Sequence, residues 1–246
     1  MDTNKNSYTF IFALVMVVVV AFVLAFLATS LKPLQDKNIK QEKMQNILAT
    51  VGKSFTREEA QVEFTNFIKK GIVVDNKGNV VEEKTGSEIE NGLAFTVNLA
   101  TEVKRKADER TMPIFEAEVD GKKYYVIPLQ GMGMWSDIWG NVALAEDINT
   151  IVGVNFDHKS ETSGLGAEIK TDWFQAAWKG KQILKDPNGD FTQDNFASVQ
   201  TVKGGARPDD LHGVDAISGG TVTSDATSAM FRSNMEFYLP YFNNLK

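Results

Sequence analysis

Hydrophobic and polar positions change their period several times along this chain. From Phe10 to Ala28 every residue is apolar. As a helix rising about 1.5 Å per residue, that run covers roughly 28 Å, nearly the hydrocarbon core of a bilayer. Lipid forces internal backbone pairing, so a helix is expected despite the valine run. A cleaved signal peptide is the alternative, with a faint cleavage pattern at Ala28-Thr29-Ser30. Signal cores run to about 7–15 residues, however, and this one is longer. Residues 35–51 then read as a charged helical stretch with Met44, Ile47, Leu48 and Val51 on one stripe, stopped by Gly52.

Thr56-Arg57-Glu58-Glu59 is a capping box, predicting a helix with Ala60, Phe64, Phe67 and Ile68 inward that ends at Gly71. Residues 72–74 and 80–81 flank an Asn76-Lys77-Gly78-Asn79 turn, which predicts a hairpin with Gly78 in an exposed tip; Asn188 is expected in another exposed turn. Residues 84–111 are polar and weakly periodic, an irregular excursion. Alternation takes over at Ile114. Residues 114–119 and 123–129 enclose Asp120-Gly121, a strong hairpin signal, and 141–145 and 150–156 read as two more strands. Thr171 is placed to cap a helix carrying Trp173, Phe174, Ala177 and Trp178; residues 182–184 and 198–202 read as later strands. The last helix is expected to start near Thr223 or Ser224. The predicted fold class is α+β, an antiparallel twisted sheet with flanking helices packed to one side, preceded by one N-terminal transmembrane helix. The expected divisions are an anchor over 1–31, a stalk and accessory α/β region over 32–113, and a ligand-binding domain over 114–246.

Composition narrows the chemistry. Of 246 residues none is Cys and two are His, which excludes disulfides, Cys-ligated metal, iron–sulfur clusters and thiol catalysis, and leaves no metal site. A net charge of −6 argues against nucleic acid as a partner. Lys32, Lys37, Lys40 and Lys43 follow the apolar run and only Lys5 precedes it, so the lysine count alone would put the C-terminal side in the cytoplasm.

Three loops hold the candidate chemistry. Gly131-Met132-Gly133-Met134-Trp135-Ser136-Asp137 combines two glycines that let backbone approach a ligand with a flat indole at Trp135 for stacking; it reads equally as a tight turn with a core tryptophan. The segment from His158 to Gly166 carries Glu161, Thr162, Gly164 and Leu165, polar groups suited to the edge of a planar heterocycle, or a solvated connection. The third is Asp215-Ala216-Ile217-Ser218-Gly219-Gly220-Thr221, a strand, a glycine corner and hydroxyls at a helix start. Its backbone N–H groups and positive helix end suit a phosphate, and a plain Ser/Thr-capped helix gives the same pattern. No catalytic acid–base pair or triad stands at a diagnostic spacing.

The D-A-I-S-G-G-T segment resembles the flavinylation motif D-x-x-[ST]-G-A-T of covalent FMN-binding domains. The segments G-M-G-M-W-S-D-I-W-G, A-L-A-E-D-I-N-T-I and H-K-S-E-T-S-G-L-G, in that order and behind a membrane anchor, are similar to the C subunit of Na+-translocating NADH:quinone oxidoreductases. The resemblance implies an FMN esterified through its phosphate to Thr221, Ser218, Gly219 and Gly220 at the phosphate, and Trp135, Glu161, Thr162, Gly164 and Leu165 around the ring. It implies electron carrying without independent catalysis, with NADH, iron–sulfur and quinone sites on other membrane and soluble subunits. It further implies an FMN transferase acting outside the cytoplasm, hence a bacterial inner-membrane protein with a periplasmic domain, against the lysine count. Gly220 stands where that family usually has Ala, and Ser163 where it has Pro. The G subunit of an Rnf-type complex shares the threonine motif, and an anchored adaptor without cofactor is the alternative from another class.

Overall fold

The computed structural model describes residues 6–246; residues 1–5, with Lys5 of the lysine count and the beginning of the 1–31 anchor, lie outside the described residues. The chain forms two compact units, Met1–Lys43 and Met44–Lys246. Helix α1 (Asn6–Thr50) belongs to the first up to Lys43 and to the second from Met44, and its apolar run lies in the first with the large side chains exposed. Among the described residues it is the one helix long and apolar enough to cross a membrane.

The second unit is built on one six-stranded antiparallel sheet in the order β2-β1-β3-β4-β5-β6. Its strands are β1 (Ile68–Asp75), β2 (Val80–Thr85), β3 (Thr111–Val119), β4 (Lys122–Met132), β5 (Asp137–Leu144) and β6 (Ile151–His158). Strands β1 and β2, from the region expected as accessory, thus share a sheet with β3–β6. The β3–β4 turn is the hairpin predicted at Asp120-Gly121: both residues have positive φ, 52° and 74°, the twist a two-residue hairpin needs.

The sheet buries both faces, not one. Ile72, Ile114, Ile127, Val142 and Phe156 point into a core closed by the C-terminal helix α6 (Thr221–Leu245). Their neighbours in sequence, Val73, Phe115, Val126 and Ala143, point the other way, against Met44, Ile47 and Leu48 of α1 and Ala60 and Phe64 of α2 (Arg57–Phe67). Period-2 alternation gives apolar residues on both faces only when both are covered, and here both are.

Several elements differ in extent from the sequence reading. Helix α2 stops at Phe67, and Ile68 already belongs to β1; Gly71 is a mid-strand residue, where a Cβ would lie 3.1 Å from Ile89 and 3.2 Å from Ala94. The excursion over 84–111 contains short helical turns, including α3 (Leu93–Thr96) and α4 (Leu99–Glu102). Helix α5 is only Asp172–Ala176, short of Ala177 and Trp178; Trp173 is exposed, and Thr171 Oγ1 donates to Glu168 O instead of capping. Residues 182–184 make single bridges, Thr150 to Gln182 and Leu184 to Phe196, in place of a strand. The remaining strands β7 (Gln200–Val202) and β8 (Gly213–Asp215) pair in parallel as a separate ribbon. Gly78 is buried, because its turn packs on Pro240 and Tyr241 of α6; Asn188 is exposed as expected.

Helix α6 (Thr221–Leu245) begins two to three residues before the start expected near Thr223 or Ser224. It is fixed to the sheet by polar contacts as well as by its aromatic face. Asn234 Oδ1 accepts from Gln130 N at 3.2 Å while its Nδ2 donates to Gln130 O at 3.0 Å, and the Tyr238 hydroxyl donates to Pro113 O at 2.6 Å. Buried polar groups paired in this way fix rotation and translation of a helix where apolar packing alone tolerates slippage.

Candidate functional site

The fixed start of α6, the β4–β5 connection and the loop after β6 meet at one end of the sheet. They line a cleft of about 250 Å³ whose wall includes Trp135, Glu161, Thr162, Leu165, Gly219, Gly220 and Thr221. A second cleft of about 450 Å³, lined by Lys203, Gly204, Asp215 and Ser218 among others, shares Gly219 and Thr221 with the first. Thr221 therefore stands in the wall between two open spaces.

The corner before α6 leaves its helix end open. Gly219 has φ 76°, and Gly220 is the N-cap without any side-chain capping bond. The amides of Thr221, Val222 and Thr223 lack intrahelical acceptors, as at any helix start. The hydroxyls nearby are divided. Thr223 Oγ1 donates to Glu161 Oε2 at 2.7 Å; Ser224 Oγ donates to Gly220 O and accepts from Ile217 N, both at 3.0 Å. Neither acts as the N-cap expected from sequence, because the helix already begins at Thr221. Among the described residues the Ser218 and Thr221 hydroxyls have no hydrogen-bond partner in the protein, and Ser218 is exposed. Gly220 has its own steric reason: a Cβ there would lie 2.8 Å from Ile217 Cγ2 and 3.0 Å from the Leu165 backbone.

Glu161 is 7% exposed. Its Oε1 accepts from Trp135 N at 3.0 Å and Ser136 N at 3.3 Å, and its own amide donates to His158 Nδ1 at 3.1 Å. Burial pushes its pKa up, but the Trp135 amide, the Thr223 hydroxyl and the Ser136 and Met134 amides outweigh burial, so the carboxyl titrates below the usual range. The glycines of the first loop make room for side chains of the protein. A Cβ on Gly133 would lie 2.6 Å from Glu161 Oε1, and one on Gly131 2.7 Å from Met230 Cβ. Gly166 is needed likewise, since a Cβ there would run into Thr223 Oγ1 and Glu161 Oε2. Sequence reading saw these glycines without the carboxylate they accommodate.

Around the cleft the surface is apolar and open. Trp135 is 67% exposed and so is not a core tryptophan; Met132, Met134, Leu165 and Val222 are exposed beside it. Thr162 and Gly164 are exposed on the loop, where Thr162 O accepts from the Leu165 and Ala167 amides. An exposed indole and leucine over a cleft that ends in an uncapped helix start suit a ligand with a flat apolar part and an anionic end. The residues present therefore fit FMN. Among the described residues there is no cluster that could hold a metal ion.

Residues 133–236 match the FMN-binding domain family, a stretch that takes in the second and third loops and the first from Gly133 onward. The chain is 31% identical to the C subunit of the Na+-translocating NADH-quinone reductase of Pseudomonas aeruginosa, over 91% of this chain and 88% of that one. It is 30% identical to the corresponding protein of Neisseria meningitidis serogroup B, over 100% of this chain and 96% of the other. The chain belongs to this C-subunit family. Among solved structures, the family member from Parabacteroides distasonis matches with a TM-score of 0.73 and 32% identity, covering 86% of this chain and 96% of that one. The Shewanella oneidensis protein NqrC matches with a TM-score of 0.64 and 27% identity, covering 84% of this chain and 97% of that one. The fold described above is thus the fold of this family, an FMN-binding domain in a flavoprotein subunit of a multisubunit oxidoreductase.

Proposed function

We propose that this chain carries electrons inside a Na+-translocating NADH-quinone reductase through an FMN joined by a phosphoester to Thr221. The observation that carries the reading is the division of hydroxyls at the start of α6: the Thr223 and Ser224 hydroxyls are committed to protein partners, while Thr221, on an uncapped first turn, lines both clefts. An FMN transferase using FAD as donor would form the ester: the Thr221 hydroxyl takes the FMN phosphoryl group, the pyrophosphate bond of FAD breaks, AMP leaves and the hydroxyl proton is released. Ser218 and the backbone at Gly219 and Gly220 would hold the phosphate oxygens, the open amides opposing its charge. Trp135 and Leu165 would cover the ring, with Thr162 and the Gly164 backbone toward its polar edge.

When bound, FMN supplies the redox chemistry, and the protein orients it and sets its electrostatics. NADH and quinone would then react on partner subunits. Anchoring through residues 1–31 in a bacterial inner membrane is supported by the long apolar helix α1, and the periplasmic side of the domain would follow from where the transferase acts. The division proposed is an anchor over 1–31, an accessory region over 32–113 whose strands β1 and β2 join the sheet of the following region, and an FMN-binding region over 114–246.

The test is the full chain expressed in membranes with a flavin transferase. Thr221→Val should give folded, membrane-bound protein without a fluorescent band on a denaturing gel, and Thr223→Val should keep the band. A fluorescent Thr221→Val protein would place the ester elsewhere.

A further inference from the structure

Glu161 joins three segments that are remote in sequence. One oxygen takes the amides of Trp135 and Ser136, the other takes the hydroxyl of Thr223 in the first turn of α6, and the Glu161 amide closes onto His158. A second tie runs parallel, since Ser136 Oγ accepts from Ser160 N at 2.9 Å. The carboxylate is buried and crowded by Gly133 and Gly166, positions where any Cβ would displace it or its partners. Its donors are uncharged, so it is not half of an ion pair. Both oxygens being engaged within the protein, Glu161 acts on a ligand through the segments it joins.

We propose that Glu161 is the positioning residue of the flavin site, a clamp that holds the Trp135 loop at a fixed distance from the acceptor turn bearing Thr221. The ring-covering side chain and the phosphate anchor lie on different elements, one after β4 and one on α6. Without a connection, the β4–β5 loop and the helix start could move independently, and a ligand tethered at one end would sample several ring positions. The clamp removes that freedom before the ligand arrives, the usual physical basis of preorganisation. This inference rests on the reading that FMN is held at Thr221 and covered by Trp135.

The experiment separates the clamp from that reading. In the full chain produced without a transferase, amide exchange is followed over residues 133–137 and 221–228. Glu161→Ala should speed exchange in both segments, on the order of tenfold, because two amides and a hydroxyl lose a buried acceptor. Glu161→Gln keeps an acceptor oxygen for the amides and should restore most of the protection. Thr223→Val cuts only the helix arm; it should still speed exchange at 133–137, which Thr223 does not touch, and this variant decides the matter should Glu161→Ala fail to fold. In the flavin-loaded chain, Glu161→Ala should keep the covalent band while native flavin emission rises several-fold as Trp135 leaves the ring, with Glu161→Gln near the parent. Exchange that changes in one segment only, or native emission unchanged with the band present, overturns the clamp. A Thr221→Val protein that keeps its band overturns the attachment reading alone, leaving the exchange result to stand or fall by itself.

Discussion

Helices α2 and α6 begin in opposite ways. At α2 the first turn satisfies itself: Thr56 Oγ1 accepts from Glu59 N, and Glu59 Oε2 accepts from Thr56 N at 2.9 Å. At α6 a hydroxyl-rich sequence leaves the first turn uncapped, with Gly220 at the N-cap and the hydroxyls of Thr223 and Ser224 turned to other partners. A glycine in place of a capping side chain forgoes only about a few tenths of a kcal/mol. Helix α6 tolerates that loss because its aromatic length is buried and its Asn234 and Tyr238 are bonded to the sheet. The difference separates a helix start that only has to hold a fold from one kept open for an anion.

The largest effect is expected from making α6 resemble α2. Gly220→Asp would supply a capping carboxylate and set its charge against the incoming phosphate, and the flavin band should vanish from the denaturing gel. Gly220→Ala adds only the Cβ, for which Ile217 Cγ2 at 2.8 Å has to shift and the Leu165 backbone at 3.0 Å has to give by a few tenths of an ångström, and it should keep the band. Retention of flavin by Gly220→Asp would mean that the open amides are not what receives the phosphate.

A smaller effect is expected at the other end of the ligand. Trp135→Ala should leave attachment intact, since α6 is untouched, but shift the flavin absorption spectrum and midpoint potential. Because Trp135 is 67% exposed, stability should change by no more than about 0.5 kcal/mol. An unaltered spectrum and potential would remove Trp135 from the ring site. Smaller again in its effect on the flavin, though larger in stability, is Thr56→Ala at α2. It should cost about 1 kcal/mol, lowering the melting temperature by about 2–4 °C in thermal denaturation, with flavin content unchanged. Loss of flavin there would show that the two helix starts are coupled rather than independent.

The features legible in sequence were those whose partners lie close in the chain. The Asp120-Gly121 hairpin and the Thr56–Glu59 capping box are local, and both formed as read. The α+β antiparallel class followed from alternation, and the apolar run from its length. The covering of the second face was not legible, because it depends on Met44, Ile47 and Leu48 meeting Phe115 and Val126. The three loops were recognisable as loops with chemistry, and the structure brings them to one cleft. What sequence could not reveal is the carboxylate between them: Glu161 meets partners 26 and 62 residues away. The same distance in sequence hid why Thr223 is not a cap, and why Gly133 and Gly166 cannot carry a side chain.

The smallest effect distinguishes two buried carboxylates, one belonging to each kind of region. Glu102, 8% exposed, accepts from Thr111 N at 3.0 Å and pairs with Arg105 at 3.0 Å. Burial raises its pKa, and the Thr111 amide with Arg105 and Arg110 brings it below the usual range. Glu161 reaches the same direction with uncharged donors only. Both folded-state pKa values are depressed, so both carboxylates stabilise the fold above the unfolded value of about 4.3 and lose that contribution as pH falls through the lowered folded value. At neutral pH neither should titrate. Below about pH 4, amide exchange should rise first at Thr111 and at Trp135 and Ser136, ahead of the core strands. Salt should then part them. Arg105 is half exposed, and its ion pair is worth at most about 1 kcal/mol and is screened, so raising the ionic strength should shift the acid response at Thr111 to higher pH. At Trp135 there is no ion pair to screen, and the response should stay in place. A salt shift at Trp135 equal to that at Thr111 would mean that a cation serves Glu161 as well, and the contrast between a paired structural carboxylate and an unpaired one at the flavin site would fail.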